Sequence, residues 1–451
     1  MINAFDNDTR CLDVEIKIYL NGDRNEPLII NNDNYLVSFN VLEELSSDDI
    51  MCDSISSNEF EFEIYNNDDM FTPTNENGPY YGLLETNVKV EVNMREELSE
   101  TDWITLGTFY IYDWNCNQGA STAVITCNDR MLNLINLPTP TYMVKQNVSV
   151  YTFLTELFTL VGLKASEYNI DDVLKSQIIN YAYPIVGKFG DTLVEIAKSH
   201  MCYIYVDRND IVRVKSLRIP NDVISIWNDD NQIISSKVIS TLQKENSGVM
   251  VTYHNKSITE EYSLVTLSEQ VLQPGETEFP NVLIEKGPLY KAAHCLTESK
   301  NLTYVSGITY SPWDISLKIT NTYTKSEVAT ITIYGSTIST EAKSCVSDYD
   351  KTLVNRVGIK MLEIEGEYID SESHANLLKS AFMRYISNPT PIIELTTRGN
   401  PCVTIGDVIT INDNTNKIHR DLVITRQQFR YDGSLECTVG CIDKSIMEGV
   451  L

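Results

Sequence analysis

Three carboxylates near the start of the chain, Glu59, Glu61 and Glu63, have a spacing that could do chemistry. Glycoside hydrolysis uses two carboxyl groups about 5 to 9.5 Å apart, one of which acts as an acid. In the run EFEFEI (59–64) each carboxylate is followed by an apolar residue. Because successive side chains of a strand point to opposite faces, the three carboxylates share one face. The pattern therefore predicts a solvent-facing strand surface and not a hydrolase site.

A second candidate is GKFGDT (187–192), which has the residue types of a phosphate-binding loop. Such a loop needs the order G-x-x-x-x-G-K-[ST], in which backbone amides and the lysine converge on the phosphates, and this run lacks it. The five histidines are far apart, and none has the H-x-x-x-H or H-E-x-x-H spacing of a metal site. They are His200, His254, His294, His374 and His419.

Nucleophilic chemistry has equally little support in the sequence. The ten cysteines contain no pair of C-x-x-C motifs, and the closest two, Cys437 and Cys441, lie in a strand-like run, so reduced thiols are the prediction. No G-x-S-x-G elbow or cysteine-rich catalytic signature occurs. We therefore expect a protein that is not an enzyme, with no catalytic, cofactor-binding or metal-ligating residues and no cofactor.

Length and charge limit the classes of function. The 451 residues suggest about three domains at roughly 150 residues each. The formal net charge is −28, and residues 1–100 hold 23 acidic but only five basic residues. This charge argues against wrapping duplex DNA, which requires clustered lysine and arginine. The sequence has no apolar run near the ~18 residues of a membrane span and no export signal at MINAFDNDTR, so we expect folding in a cytoplasm.

Hydrophobic periodicity predicts a mainly β fold with α+β insertions. Period-two alternation over residues 13–128 indicates half-buried antiparallel strands. Ser149 can cap a helix over 150–161, and a last helix is expected over 371–386. Between these helices, GDTLVEIAKSHMCYIYVDRNDIVRV (190–214) predicts a helix that runs into a hairpin, with Asp191 as the N-cap.

These patterns divide the chain into four predicted domains. Residues 1–138 form an N-terminal β domain, and 139–222 form a small α+β domain with the helix and hairpin. Residues 223–355 form a second β domain with long connections, and 356–451 form a C-terminal α+β domain with a helix and β hairpins.

Several motifs, taken in order, resemble one known family. The chain is similar to the tail hub proteins of bacteriophages, which are related to the baseplate hub of contractile tails and to the hub part of type VI secretion spikes. In the helix and hairpin, Asp210 stands where glycine is common in that family. The motifs are SSNEFEFEIYNNDDMFTP (56–73), GLLETNVKVEV, LGTFYIYDW (106–114), CNDRMLNL (127–134), the helix and hairpin of 190–214, and RGNPCVTIGDVITI (398–411).

The resemblance implies a homotrimer around a central channel, with two tube-type β-barrel domains per subunit, so that three copies imitate the six-fold ring of the tail tube. Such a hub would join the tail tube and distal tail proteins to tip, spike and fibre proteins. The tape measure protein would occupy the lumen, and DNA would pass through during ejection without specific binding. The implied location is the virion, after assembly in the host cytoplasm.

Three details and two alternatives complete these expectations. Acidic residues of the N-terminal barrel are expected to line the lumen and repel phosphates. Tyr203–Val206 are expected to be divided between a small core and a neighbouring surface. Gly406 and Asp407 suit a tight turn before a strand. The alternative functions are a carbohydrate-binding tail-tip module for host attachment, which the 25 tyrosines could serve, and a tail-associated cell-wall hydrolase.

Overall fold

The computed structural model describes most of the chain. The described residues are 5–6, 9–20, 26–45, 52–97, 102–116, 121–217, 222–239, 246–284, 287–298, 303–340, 343–387 and 392–444.

Strands dominate this part of the chain. They are β1 (Leu12–Ile18), β2 (Leu28–Asn31), β3 (Leu36–Glu44), β4 (Glu59–Tyr65), β5 (Lys89–Glu96), β6 (Ile104–Cys116), β7 (Thr122–Asn128), β8 (Lys145–Ser149), β9 (Tyr168–Ile170), β10 (Ile178–Ala182), β11 (Cys202–Val206), β12 (Val212–Ser216), β13 (Val223–Asn228), β14 (Ile233–Ile239), β15 (Gly248–Tyr253), β16 (Lys256–Ile258), β17 (Tyr262–Leu272), β18 (Gly275–Leu283), β19 (Leu289–Glu298), β20 (Thr303–Tyr310), β21 (Asp314–Asn321), β22 (Glu327–Thr340), β23 (Ser344–Tyr349), β24 (Met361–Glu365), β25 (Ile392–Thr397), β26 (Val408–Asp413), β27 (Ile418–Tyr431) and β28 (Leu435–Asp443).

The α-helices of the described residues are fewer and short. They are α1 (Arg130–Asn136), α2 (Val150–Leu160), α3 (Phe189–His200), α4 (Lys351–Val357) and α5 (Glu372–Ser387). Over the described residues, no helix has the length and apolar character needed to cross a membrane.

A 13-stranded sheet joins the two ends of the chain. Its path runs β14-β25-β28-β27-β3-β4-β7-β6-β5-β1-β2, with β26 paired to β27 and β13 paired to β26. Within the described part of this sheet, only the β13–β26 pair is parallel. The predicted mainly β, multidomain fold is confirmed. Among the described residues the path is open at both ends, so the closed-barrel form of the predicted tube domains stays a prediction.

Alternation in β4 shows why these segments pair as strands. Phe60, Phe62 and Ile64 are buried on one face, whereas Glu59 and Glu61 are exposed on the other. The ring of Phe60 lies 5.0 Å from that of Phe62. The expected solvent-facing surface is therefore confirmed for these carboxylates, and the aromatic face supplies the core.

The small α+β region between the sheet strands contains α2 and α3. Ser149 caps α2 as predicted, because its Oγ accepts from the Thr152 amide at 3.1 Å. The prediction that Asp191 is the N-cap of α3 is wrong. The helix begins at Phe189, and Asp191 lies in its first turn, where Oδ2 accepts from the Lys188 amide at 3.0 Å. The carboxylate thus reaches back to satisfy an amide at the helix start from one turn further on.

A long insertion separates β14 from β25. In it, α5 packs on the sheet β23-β15-β24, and the strands from β17 to β22 enclose a second, separate core around Leu317 and Ile331. The helix α5 agrees with the predicted helix 371–386. The four predicted domain limits stay a prediction, although the ladder pairs β13 and β14, from the third predicted domain, with β25 and β26 from the fourth.

Candidate assembly surface

The central sheet contains the same five-strand arrangement twice. In the first unit the order is β3-β4-β7-β6-β5, and in the second it is β14-β25-β28-β27-β26, with every neighbouring pair antiparallel. The strands occupy corresponding places in sequence order within each unit. The long insertion interrupts the second unit after its first strand, which hides the correspondence in the linear sequence.

The turn between β2 and β3, which leads into the first unit, is held by one asparagine. Asn34 Oδ1 accepts from the amides of Asn31 at 2.8 Å and Tyr35 at 2.5 Å, and its Nδ2 donates to Ile29 O at 3.0 Å. Such side-chain bonds to the backbone fix a tight turn without help from the core.

The turn between β13 and β14, which leads into the second unit, repeats these bonds. Asn231 Oδ1 accepts from the amides of Asn228 at 2.8 Å and Gln232 at 2.6 Å, and its Nδ2 donates to Ile226 O at 3.0 Å. The same irregularity follows: a register shift lies between Leu36 and Ser38 in β3, and one lies at the corresponding place in β14. The two turns, which we call the entry turns, therefore have the same hydrogen bonds and the same following register shift.

The predicted turn at Gly406 and Asp407 is present in the second unit. Gly406 has φ of +85°, which glycine adopts readily, and its amide donates to Ile424 O at 2.7 Å. Asp407 Oδ2 accepts from the Thr404 amide at 2.7 Å ahead of β26. The expected tight turn before a strand is confirmed.

The first unit has the counterpart of this turn. Asn87, with φ of +61°, donates from its amide to Ile111 O at 2.7 Å, as Gly406 does to Ile424. Asparagine is the residue besides glycine that most often adopts this left-handed backbone. A register shift follows at once in both units, after Ile111 in β6 and after Ile424 in β27.

The two units meet along one ladder within the chain. The second half of β27 pairs antiparallel with β3, from Arg426 opposite Glu44 to Tyr431 opposite Phe39. The rings of Phe39 and Tyr431 stack with centroids 5.3 Å apart. We call this β27–β3 contact the inner seam.

A buried arginine from the small α+β region locks the inner seam. Arg208 Nε and Nη2 donate to the two carboxylate oxygens of Glu43, at 2.7 and 2.6 Å, and the guanidinium also donates to Pro401 O and to Val403 O. Only 9% of the Arg208 and 4% of the Glu43 side chain is exposed. Burial disfavours the charge on Arg208, but Glu43 outweighs it and raises the pKa of the guanidinium. The pair thus links β3 to the loop before β26.

Asp210 explains why the turn beside Arg208 has no glycine. Its φ is +64°, a left-handed backbone conformation that glycine adopts more readily than other residues. Its carboxylate accepts from Arg130 Nε at 2.8 Å and from the Tyr110 hydroxyl at 2.8 Å. Burial and the Asp210 carboxylate raise the pKa of Tyr110 to about 12, which keeps this donor protonated. The side chain thereby ties the hairpin to β6 and α1.

The hairpin strand β11 is buried along its whole length. All five residues from Cys202 to Val206 are buried, and the expected division of Tyr203–Val206 between a small core and a neighbouring surface stays a prediction. Both faces are covered because β11 lies against α3 and the first unit, where Asn58 Nδ2 donates to Val206 O at 2.9 Å. The helix and hairpin form a joint between the units.

The structure brings together two histidines that are distant in sequence. The rings of His200 and His374 stack with centroids 4.9 Å apart beside a cavity of about 430 Å³. His374 Nε2 bonds to Ser199 O at 2.8 Å, and His200 Nδ1 bonds to Gln177 Oε1 at 3.0 Å. Burial lowers the pKa of both imidazoles. Over the described ranges no group of three His, Cys, Asp or Glu side chains could hold a metal ion. These contacts join α3 to α5.

An aromatic cavity of about 560 Å³ bears on the carbohydrate-binding alternative. Its polar aromatic groups already have protein partners: Trp313 Nε1 donates to Pro184 O at 3.0 Å, and the Tyr183 hydroxyl donates to Glu367 Oε1 at 2.5 Å. Lys256 Nζ also contacts that carboxylate at 2.7 Å. These bonds hold the insertion to the small α+β region, and the cavity does not favour a sugar ligand over this structural role.

Comparison with solved structures identifies the fold. The 43 kDa tail protein of prophage MuSo2 from Shewanella oneidensis matches with a TM-score of 0.56 at 10% identity, over 97% of this chain and all of that one. The tail protein from Neisseria meningitidis MC58 matches with a TM-score of 0.55 at 8% identity, over 96% of this chain and 98% of that one. The chain has the fold of these tail proteins. The resemblance drawn from the sequence motifs is thus confirmed at the level of the fold.

Sequence comparison adds nothing to this assignment. No protein-family model matches the chain, and no curated protein matches it significantly. At identities of 10% and 8% the two structures establish the fold alone.

The most informative features escaped the sequence analysis. The two entry turns contain the related runs NNDN (31–34) and NDDN (228–231). This Asn-x-Asp-Asn repeat was a signal for the duplication. Arg208 gave no such signal, because Glu43 is 165 residues away in the sequence. The run 187–192, considered above as a phosphate loop, is instead the turn into α3 and its first residues.

Because the two entry turns are equivalent, mutation of their asparagines should have equal effects on stability. Asn34→Ala and Asn231→Ala each remove three hydrogen bonds, and we expect each to lower the free energy of unfolding by about 1–2 kcal/mol. The two losses should agree within about 0.5 kcal/mol. Urea denaturation measures both, with the exposed Asn77→Ala as the control that changes little. A large loss for one variant and none for the other would contradict the equivalence.

The buried pair predicts strong coupling between its members. Arg208→Met leaves the Glu43 carboxylate buried without its cation, and Glu43→Met does the converse, so each should cost about 3–5 kcal/mol of unfolding free energy. The double variant should cost much less than the sum, as measured in urea. Lys318→Met, which breaks the exposed pair with Glu278, is the control with a small effect. Additive losses for Arg208 and Glu43 would show that the pair does not act as a unit.

Proposed function

We propose that this protein is a structural component of a phage tail. In the proposed assembly, three copies form a ring at the distal end of the tail tube and enclose the channel for DNA ejection. The observation that carries the proposal is the duplicated five-strand unit. A ring of three such chains presents six similar β units, which suits contact with a six-fold tube. The tail-protein fold supports the same role.

The interior of the chain favours a scaffold over an enzyme. The ion pair of Arg208 with Glu43 and the hydrogen bond of Tyr183 to Glu367 join separate regions of the chain, as a scaffold requires. The proposed partners are accordingly proteins: tail tube and distal tail proteins on one side, tip, spike or fibre proteins on the other, and a tape measure protein in the lumen. The proposed location is the virion.

The face of the sheet opposite the core is the proposed channel wall. In the first unit this face carries Glu59, Glu61 and Glu63, and across the inner seam it carries Arg426 and Arg430 of β27. The wall would therefore alternate between an acidic sector and a mixed sector. The acidic sector repels phosphates, so DNA can pass without being retained.

The mass of the purified protein tests the assembly. We expect a trimer by native mass spectrometry and by light scattering at micromolar concentration, and we expect the protein to sediment with tails. The duplicated unit and the open sheet explain this, because both leave strand edges that a second copy can cover. A protein that stays monomeric and does not associate with tails would refute the proposed function.

The channel wall predicts a gain of DNA binding on charge reversal. Glu59→Lys, Glu61→Lys and Glu63→Lys together convert the acidic sector to a basic one, and the trimer should then retain DNA in a salt-sensitive manner. The control is the triple lysine variant of Glu269, Glu276 and Glu278, exposed residues of the insertion.

Electrophoretic mobility and fluorescence anisotropy at 50 and 200 mM salt report the binding. Equal DNA binding by both triple variants would place the three carboxylates of β4 away from the channel.

A further inference from the structure

Among the ten strands of the two five-strand units, two edges have no partner strand within the described residues. The strand β14 pairs with β25 on one side and ends the path of the sheet on the other. In β6, residues 104–110 lie beside β5, but residues 112–116 have only β7 for a neighbour. An open edge presents free amide and carbonyl groups to another strand.

The correspondence between the two units indicates which strand should pair with each open edge. Strand β27 corresponds to β6, and strand β3 corresponds to β14. The second half of β27 pairs with β3 in the inner seam. The second half of β6 and the free edge of β14 therefore correspond to the two strands of the inner seam. They lie at opposite ends of the two paired units, so they are not joined within one chain.

Side-chain burial supports this comparison. Val41 of β3 is fully buried under β27. Its counterpart in β14 is Val238. Val41 lies ten residues after Asn31, and Val238 lies ten residues after Asn228, the first asparagine of the corresponding entry turn. Val238 is 47% exposed, and Ile234 of the same strand is 57% exposed. An edge strand with exposed β-branched residues is a surface suited to pairing with another strand.

We propose that residues 112–116 of one copy pair antiparallel with β14 of the next copy and form an outer seam equivalent to the inner one. The register follows from the inner seam, where Phe429 lies opposite Val41. Phe429 corresponds to Cys116, since each lies five residues after the isoleucine at the start of the register shift. The outer seam therefore places Cys116 opposite Val238 of the neighbouring copy.

A second copy of this chain is the occupant that fits. The two edges are complementary to each other and not to themselves, so the contact is head-to-tail and generates a ring when the rotation closes. The proposal rests on the proposed function for the number of copies, and it adds which strands meet and in which register. Six β units would then be joined by three inner seams and three outer seams.

A disulfide between copies tests the register. Opposite residues of an antiparallel pair have Cα atoms about 4.5–5.5 Å apart, within the range that a disulfide can bridge. In Val238→Cys, the new thiol should join the native Cys116 of the next copy on mild oxidation. Denaturing electrophoresis without reductant should show covalent dimers and trimers and no larger species.

Two matched variants control for other thiols. Val238→Cys combined with Cys116→Ser should give no such ladder. Ile234→Cys lies four residues from Val238, about 13 Å along the strand, and should not react with Cys116. Covalent trimers in either control at the yield of the test variant would overturn the register.

Native mass measured on the same samples separates the two proposals. If Val238→Cys forms a trimer but its introduced thiol makes no disulfide with Cys116, the outer seam is refuted and the proposed function stands, whereas a monomeric parent protein refutes the proposed function. If Val238→Cys fails to fold, hydrogen exchange of the unmodified protein gives the answer. Amides of 112–116 and 233–238 should exchange at least tenfold more slowly in the trimer than in dissociated copies, and equal rates would overturn the seam.

Discussion

The ladder between β27 and β3 is the contact on which the rest of the structure depends. It connects strands that are nearly 400 residues apart in sequence and converts two short β units into one sheet. Hydrogen bonds along a ladder are individually modest, so buried apolar area must add to them, and any ion pair buried at the contact must be fully hydrogen-bonded. The stacked rings of Phe39 and Tyr431 supply the first, and Arg208 with Glu43 supplies the second.

The small α+β region stabilises the contact between the two units. Its hairpin inserts Arg208 where the two units meet, while Asp210 holds the same turn to Arg130 and Tyr110. The insertion is held in turn through the stacked pair of His200 and His374. Packed, hydrogen-bonded contacts therefore connect the insertion to the region where the two units meet.

Local patterns predicted the elements well, and long-range pairing could not be predicted from them. Period two in EFEFEI and the cap at Ser149 depend on neighbours in sequence, so they were read correctly. Asp191 was misplaced by one turn because a carboxylate can satisfy a helix amide from either of two positions. The burial of every residue of β11 depends on which elements pack on the hairpin, and the local pattern does not give those elements. The partner of Arg208, and the second unit split by its insertion, depend entirely on tertiary pairing.

In the proposed assembly, copies of this chain complete a ring of equivalent β units around a channel. A cryo-electron microscopy map of the assembled particle, at a resolution that separates strands, should show three copies with six similar β units around the axis. The carboxylates of β4 should face the channel. A particle of one copy, or a ring in which the two units take unrelated positions relative to the axis, would contradict this assembly.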